Sequence, residues 1–424
     1  MSLSYYVDNF EKDVIERSVE VELDVTREAL KKPKTPIYFP NFPGGPLVVN
    51  LFATRKRLAR AMGIEKHEIV DHLAQAVDSP ISPKEIQGPP ILNNCIEEVD
   101  LTKLPIPKYY PGDGGRYITS GVAFAEINGE RNLSFHRMML TGKNTFSIRL
   151  VERDLFKMYN IAKERDEELY FCMAIGLCPS ILLPAATSVD YGIDELKVAS
   201  ALRKNTMGGR VEVARMENGN LVPAHAEYLL EGRITHKNGP EGPFVDITGT
   251  YDHERIQPIV EIDRVWHKDY PVYHSLLPGG NEHFLLMGLP RESAMKRDLK
   301  RVVKVKDLRL TEGGCSWLHG VVSIYKENED DGLKAIKTAF DAHKSMKRVI
   351  IVDDDIDIHD DTQVEWAVAT RFQADRDMTV MENQKGSTLD PSARTPGIIT
   401  KYGLDATRPR EGFDASMFKR AEIE

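Results

Sequence analysis

Apolar and polar residues that alternate with period two mark strands, and apolar residues spaced three and four apart mark helices. On that pattern Ile37-Tyr38-Phe39-Pro40 reads as a strand running into the turn Phe42-Pro43-Gly44-Gly45-Pro46. Residues 47–52 read as a second strand, and 55–62 and 66–76 as amphipathic helices. Residues 77–115 are rich in proline and end in Pro111-Gly112-Asp113-Gly114-Gly115, a flexible run expected to link into a second domain. Strands dominate from 117 to 300. The stretch 117–125 turns at Asn128-Gly129, a strong hairpin dipeptide, returns through 132–140 and continues as 145–150. Three successive antiparallel strands suggest a small barrel. Helices are expected at 152–164 and 195–203. Beyond 302, apolar strands at 320–324 and 348–352 enclose a helix at 331–343, an α/β arrangement and a third domain.

The most apolar stretch, Phe171 to Ala186, has 16 residues and two prolines. It is too short and too broken to span a bilayer, and reads as a core strand and a buried loop. The chain has 424 residues and a net charge of -9, which argues against a nucleic-acid partner. Its four cysteines, Cys95, Cys172, Cys178 and Cys315, form no CxxC pair, so neither a zinc ribbon nor a disulfide framework is expected. The polar, acidic first twenty residues read as neither signal nor transit peptide, and a cytoplasmic location is expected.

Several constellations could carry chemistry. Asn132-Leu133-Ser134-Phe135-His136-Arg137 follows the hairpin. Asn can ligate a hard cation and Arg can grip a carboxylate, though a turn Asn and a surface Arg would look the same. In a regular strand the two face opposite ways, so a shared site needs a bulge between them. In Glu241-Gly242-Pro243-Phe244-Val245-Asp246, glycine and proline constrain a loop bearing two carboxylates. Such a pair can serve as acid and base, or be two solvated charges. Asp190-Tyr191-Gly192-Ile193-Asp194-Glu195 opens a helix, where Glu195 suits the dipole or a metal. The acidic run from Asp353 to Asp361 reads as helix caps and solvated charge. Lys401, between Gly397 and Gly403, sits on a segment read as a mobile loop that could reach a phosphate. No nucleotide-binding, Walker, nucleophile-elbow or HExxH motif is present.

Taken in order, these segments resemble the UbiD family of prenylated-flavin decarboxylases over most of the chain. The resemblance implies a central antiparallel split β-barrel that binds flavin (113–300), an N-terminal α/β domain (1–112) and a C-terminal α/β oligomerisation domain (301–424). It implies prenylated FMN, delivered by a flavin prenyltransferase, with Mn2+ or Mg2+ at its phosphate and K+ nearby. Asn132 and Glu195 would be metal ligands. Ser134, Phe135, His136, Arg149, Leu150, Arg153 and Lys401 would lie along the cofactor, as would Arg137. Arg137 would hold the substrate carboxylate, Glu241 would pose Arg137, and Asp246 would protonate the carbon left by carbon dioxide. The histidine that some members place beside the metal has no clear counterpart. The expected substrate is trans-anhydromevalonate 5-phosphate, giving isopentenyl phosphate. A polyprenyl hydroxybenzoate or another aromatic or acrylic acid is the alternative, and an ordinary FMN oxidoreductase is the alternative of another class. A homodimer or larger assembly is expected.

Overall fold

The computed structural model describes residues 2–189, 192–409, 412 and 414–418. Asp190 and Tyr191, read above as part of a helix start, lie outside the described residues. The chain mixes helices and strands and falls into two compact units, Met1–Leu286 and Met287–Glu424.

A nine-stranded sheet organises the first unit. In spatial order its path runs Tyr117–Ile118, Met138–Leu140, Thr145–Ile148, Arg255–His267, Tyr228–Glu241, Leu169–Ile175, Val122–Ile127 and Glu130–Phe135, and Asn94–Ile96 also pairs with Arg255–His267. Asn128 and Gly129 both take positive φ (56° and 78°), the geometry that a two-residue hairpin turn requires. The three strands expected side by side do pair antiparallel with their neighbours, but the first two are each broken in two and their pieces lie toward opposite ends of the sheet. Glu130–Phe135 is the edge strand beside Val122–Ile127, whereas Met138–Leu140 pairs with Tyr117–Ile118 and Thr145–Ile148 near the opposite end. The chain leaves one strand at Phe135 and enters the next at Met138, so His136 and Arg137 lie in a break between strands and not at a bulge.

The apolar stretch 171–186 also resolves differently. Leu169–Ile175 is a core strand, but Pro179–Ala185 is a helix, all of it buried, rather than a loop. Proline at the first helical position forgoes no hydrogen bond. A four-stranded sheet of Asp13–Val14, Ile37–Phe39, Leu47–Val49 and Tyr273–Ser275 completes the strand framework near the N-terminus, with helices Arg55–Met62 and Ile69–Asp78 following. Residues 77–115 are no free linker. Lys84–Glu85 pairs with Glu212–Arg215, and Asp113 is buried.

In the second unit the strand order is Val305–Leu310, His319–Ile324, Arg348–Asp353, Ile398–Ala406 and Met378–Lys385, with the inner three parallel. Alternate residues of the inner strands divide between two cores. Val322, Ile324, Val349 and Ile351 enter one, and Val321, Ile350 and Val352 the other. A sheet covered on both faces reads as unbroken apolar runs, which is the pattern seen in the sequence. In the acidic run, Asp353 and Asp355 pair with Arg371 at 2.8 and 2.7 Å, and Asp360 caps the helix Asp361–Arg371. Lys401 lies within a strand and not on a mobile loop. Its buried ammonium donates to the Lys344 carbonyl at 2.7 Å and stands over the Phe340 ring, and burial pushes the amine down to about 8. That corrects the reading of it as a loop lysine free to reach a phosphate. No helix of the described residues is long and apolar enough to cross a membrane.

Candidate active site

The break at His136-Arg137 turns Arg137 into a cage of carboxylates. Its Nε and Nη2 donate to the two oxygens of Glu241 at 2.8 and 2.9 Å, and its Nη1 donates to Asp246 at 2.7 Å. A third acid, Asp252, accepts from Nη2 at 3.0 Å. Phe244 supports the guanidinium with its ring face, 4.7 Å away. Burial opposes the charge of Arg137, but the three carboxylates outweigh it and hold the guanidinium protonated beyond its ordinary range.

Glu241 ends the long strand Tyr228–Glu241 and is fully buried. Tyr117 Oη donates to it at 3.3 Å and accepts from the Gly242 amide at 3.0 Å. Asp246 and Asp252 sit on one hairpin, in which Phe244 pairs with Asp252 and the Asp246 amide donates to the Thr250 carbonyl. Asp113 fixes the hairpin from below, accepting from the Val245 and Tyr110 amides at 3.2 and 2.8 Å. A Cβ on Gly114 would come within 2.1 Å of the Gly242 carbonyl oxygen, so only glycine fits there. The run Pro111 to Gly115, expected to be flexible, is therefore the floor of this loop. His283 is half-buried. Its Nδ1 accepts from the Gly279 amide at 3.2 Å, and burial lowers its basicity although Asp246 faces it.

A second cluster lies along the edge strand. Glu195 opens the helix Glu195–Met207, for which Asp194 is the N-cap. One Glu195 oxygen accepts from the Leu133 amide at 3.0 Å and the other lies 3.5 Å from Asn132 Nδ2. Burial raises the Glu195 carboxyl to about 8, and the nearby charge of Asp154 adds to the effect. Ser134 Oγ stands 2.7 Å from Asn132 Oδ1 and 3.0 Å from His136 Nε2. His136 Nδ1 faces the Arg149 carbonyl at 3.0 Å, and burial, with Arg153 and Arg149 beside it, lowers the imidazole to about 4. A neutral ring whose Nδ1–H donates to a carbonyl can only accept at Nε2. His136 Nε2 and Asn132 Oδ1 are thus both acceptors, and the single Ser134 proton can serve only one of them at a time. A buried carboxyl held far above its ordinary range, with an amide oxygen beside it that shares one proton with His136, is the donor set that a hard divalent cation would satisfy. Among the described residues no group of three or more His, Cys, Asp or Glu could hold a metal. A cation here would take its other ligands from outside these side chains.

The remaining residues border these clusters. The Leu150 amide donates to Gln257 Oε1 at 2.8 Å, Arg149 Nη1 to the Leu150 carbonyl at 3.1 Å, and Arg153 Nη1 to Ser188 Oγ at 3.3 Å. Phe135 is half-buried at the strand end.

Profiles of the 3-octaprenyl-4-hydroxybenzoate carboxy-lyase (UbiD) family match the chain in three segments: the N-terminal domain at 13–77, the Rift-related domain at 84–281 and the C-terminal domain at 284–406. An anhydromevalonate phosphate decarboxylase of Methanosarcina mazei is 41% identical over 408 residues, 95% of either chain. The chain belongs to the UbiD family. Among solved structures, the UbiD-class enzyme HmfF of Pelotomaculum thermopropionicum in complex with FMN is 33% identical with a TM-score of 0.95, covering 100% of this chain and 97% of that one. An evolved dimeric form of the same UbiD-class enzyme, in complex with prFMN, is 32% identical with a TM-score of 0.91 over the same shares.

The structure thus joins Arg137, Glu241 and Asp246 in one cluster of this UbiD chain and Asn132, Ser134, His136 and Glu195 in another. Two groups escaped the sequence reading. Asp252 and Arg255, which meet at 2.6 Å, fall just past the loop that was singled out. Their signal was the turn Thr248-Gly249-Thr250, which folds the chain back and returns Asp252 to the level of Phe244. Tyr117 was read only as a strand residue.

Proposed function

We propose that this chain is a prenylated-FMN-dependent decarboxylase that converts trans-anhydromevalonate 5-phosphate to isopentenyl phosphate and carbon dioxide in an archaeal-type mevalonate pathway. The observation that carries the reaction class is the buried Arg137, Glu241 and Asp246 cluster in a UbiD chain. The substrate is supported by the archaeal relative, which matches along 95% of its length.

When bound, prenylated FMN supplies an electron sink for the charge that develops as carbon dioxide leaves. The protein's own residues do the rest. Arg137 offers N–H groups to the substrate carboxylate, and Glu241, fully buried, fixes the guanidinium plane. Neutral carbon dioxide loses that attraction once formed. Asp246, on the same guanidinium, supplies a proton to the carbon. Asn132 and Glu195 would hold a divalent cation, Mn2+ by preference, with K+ nearby. Ser134, Phe135, His136, Arg149, Leu150 and Arg153 would border the cofactor. The complexes of the related HmfF structures with FMN and prFMN favour that cofactor. A flavin prenyltransferase would provide it.

We read the antiparallel sheet of the first unit as a split barrel. The three matched segments favour three domains, with the middle one starting at 84 and ending at 281, earlier at both ends than the expected 113–300. A cytoplasmic homodimer or larger assembly fits the dimeric form known for HmfF.

The test is product analysis. The chain, co-expressed with a flavin prenyltransferase, is given trans-anhydromevalonate 5-phosphate or an aromatic acid. Isopentenyl phosphate and carbon dioxide are expected from the first only. Release from the aromatic acid alone would overturn the substrate, and NADH oxidation on plain FMN would overturn the reaction class.

A further inference from the structure

A guanidinium has five N–H groups. In Arg137, Glu241 takes Nε–H and one Nη2–H, Asp252 takes the other Nη2–H, and Asp246 takes one Nη1–H. One N–H remains, on Nη1. Asp252 is buried and is itself held by Arg255 Nη1 at 2.6 Å. Burial works against its charge, yet Arg255 and Arg137 together keep its carboxyl below the usual range. Asp252 is thus a fixed anion that does not give way.

Resting on the decarboxylase reading, we propose that Asp252 is a positioning residue. By filling the last Nη2 site it confines the substrate carboxylate to Nη1, the nitrogen that already holds Asp246, and so makes the substrate enter with a proton on Asp246. The charges around the site argue for this. Arg137, Arg149 and Arg255 face Glu241, Asp246 and Asp252, three cations against three anions. His283, which also faces Asp246, is kept neutral by burial. Two ionised carboxylates sharing one buried nitrogen repel strongly, and one of them takes a proton. Glu241 and Asp252 each hold two guanidinium contacts where Asp246 holds one, so the proton falls to Asp246. The chemistry then balances. The C–C bond to the carboxylate breaks and carbon dioxide departs neutral. The electron pair stays with the carbon, the carbon takes the Asp246 proton, and Asp246 is left ionised until the next substrate enters with a proton drawn from solvent.

The test is calorimetric titration of the loaded enzyme with a non-reacting analogue, the substrate acid saturated at its double bond. Two buffers of different ionisation heat count the protons. Wild-type enzyme is expected to take up about one proton per analogue bound at neutral pH. Asp252→Ala removes one anion and, with no acceptor left, frees Nη2. It should bind the analogue equally or more tightly, take up less than half as much proton, and lose about tenfold or more in kcat. A merely structural role would weaken binding and leave the proton count alone, and that result overturns the proposal. So does a wild-type enzyme that takes up no proton, a result needing no variant. If wild-type enzyme fails to turn over anhydromevalonate phosphate, the function reading falls, and the count is made with the saturated form of the acid it does decarboxylate.

Discussion

Burial sets the charge of Glu195, and that makes its state measurable. With the folded carboxyl near 8 against an ordinary value of 4.5, the stability it contributes is complete below pH 4.5 and is lost as pH rises through 8. His136 works oppositely. Lowered to about 4, it contributes stability above its ordinary 6.5 that is lost as pH falls through 4. In the window from pH 6.5 to 8 Glu195 dominates, opposed only near the upper end by Lys401, whose buried amine lies at about 8. Across it the metal-free, flavin-free protein should lose roughly 2 kcal/mol, read as a falling thermal midpoint. Mn2+ should flatten the slope, and Glu195→Gln should abolish it; an unchanged slope with Mn2+ would remove Glu195 from the cation site. Asp246→Asn should cut turnover by about 100-fold or more while the flavin spectrum persists. Full activity would strip Asp246 of the proton. Asn132→Ala should instead lose bound cation and flavin, measured by metal analysis and absorbance.

Among the elements, the loop 111–115 deserves a mutation of its own because its role was hidden. Gly114→Ala would drive a Cβ into the Gly242 carbonyl, so the protein is expected to lose about 1–3 kcal/mol and most of its activity. Gly129→Ala meets open space but has φ 78°, and should cost stability without touching turnover. Comparing the two by thermal melts and kinetics separates a site defect from a turn defect. The same contrast shows what a sequence makes legible. Asn128-Gly129 could be read because its turn is a local matter of φ. The flexible look of 111–115 misled because the reason for Gly112 and Gly114 is a hairpin loop more than a hundred residues away. Glu241 and Asp246 were readable as a pair through Gly242-Pro243, whereas Asp252 needed the hairpin register. The expected strand 132–140 failed for a related reason: the break at His136-Arg137 is set by what Arg137 binds, not by its neighbours in the chain.

For the whole molecule, the second unit carries its own buried electrostatic knot. Arg371 has no side-chain exposure and is paired with Asp353 and Asp355. Removing the cation would leave the two carboxylates to Arg408 alone, at 3.3 and 3.8 Å, so Arg371→Leu is expected to cost about 3 kcal/mol. Chemical denaturation should register that loss. Two strands of this unit, 320–324 and 348–352, were legible from their unbroken apolar runs, but Ile398–Ala406 was read as a loop and the edge partner Met378–Lys385 was not read, since its residues are mostly exposed.

The tip of the Asp246 hairpin is the one part of that loop with room, for Gly249 and Thr250 are exposed while Phe244 and Val245 are packed beneath. A protein engineer seeking enzymes for other acids has here a map of where diversity is tolerated. Libraries at 248 to 250 would vary the rim beside Asp246 while its charges keep their partners, and libraries at 113 to 115 would consist mainly of collisions.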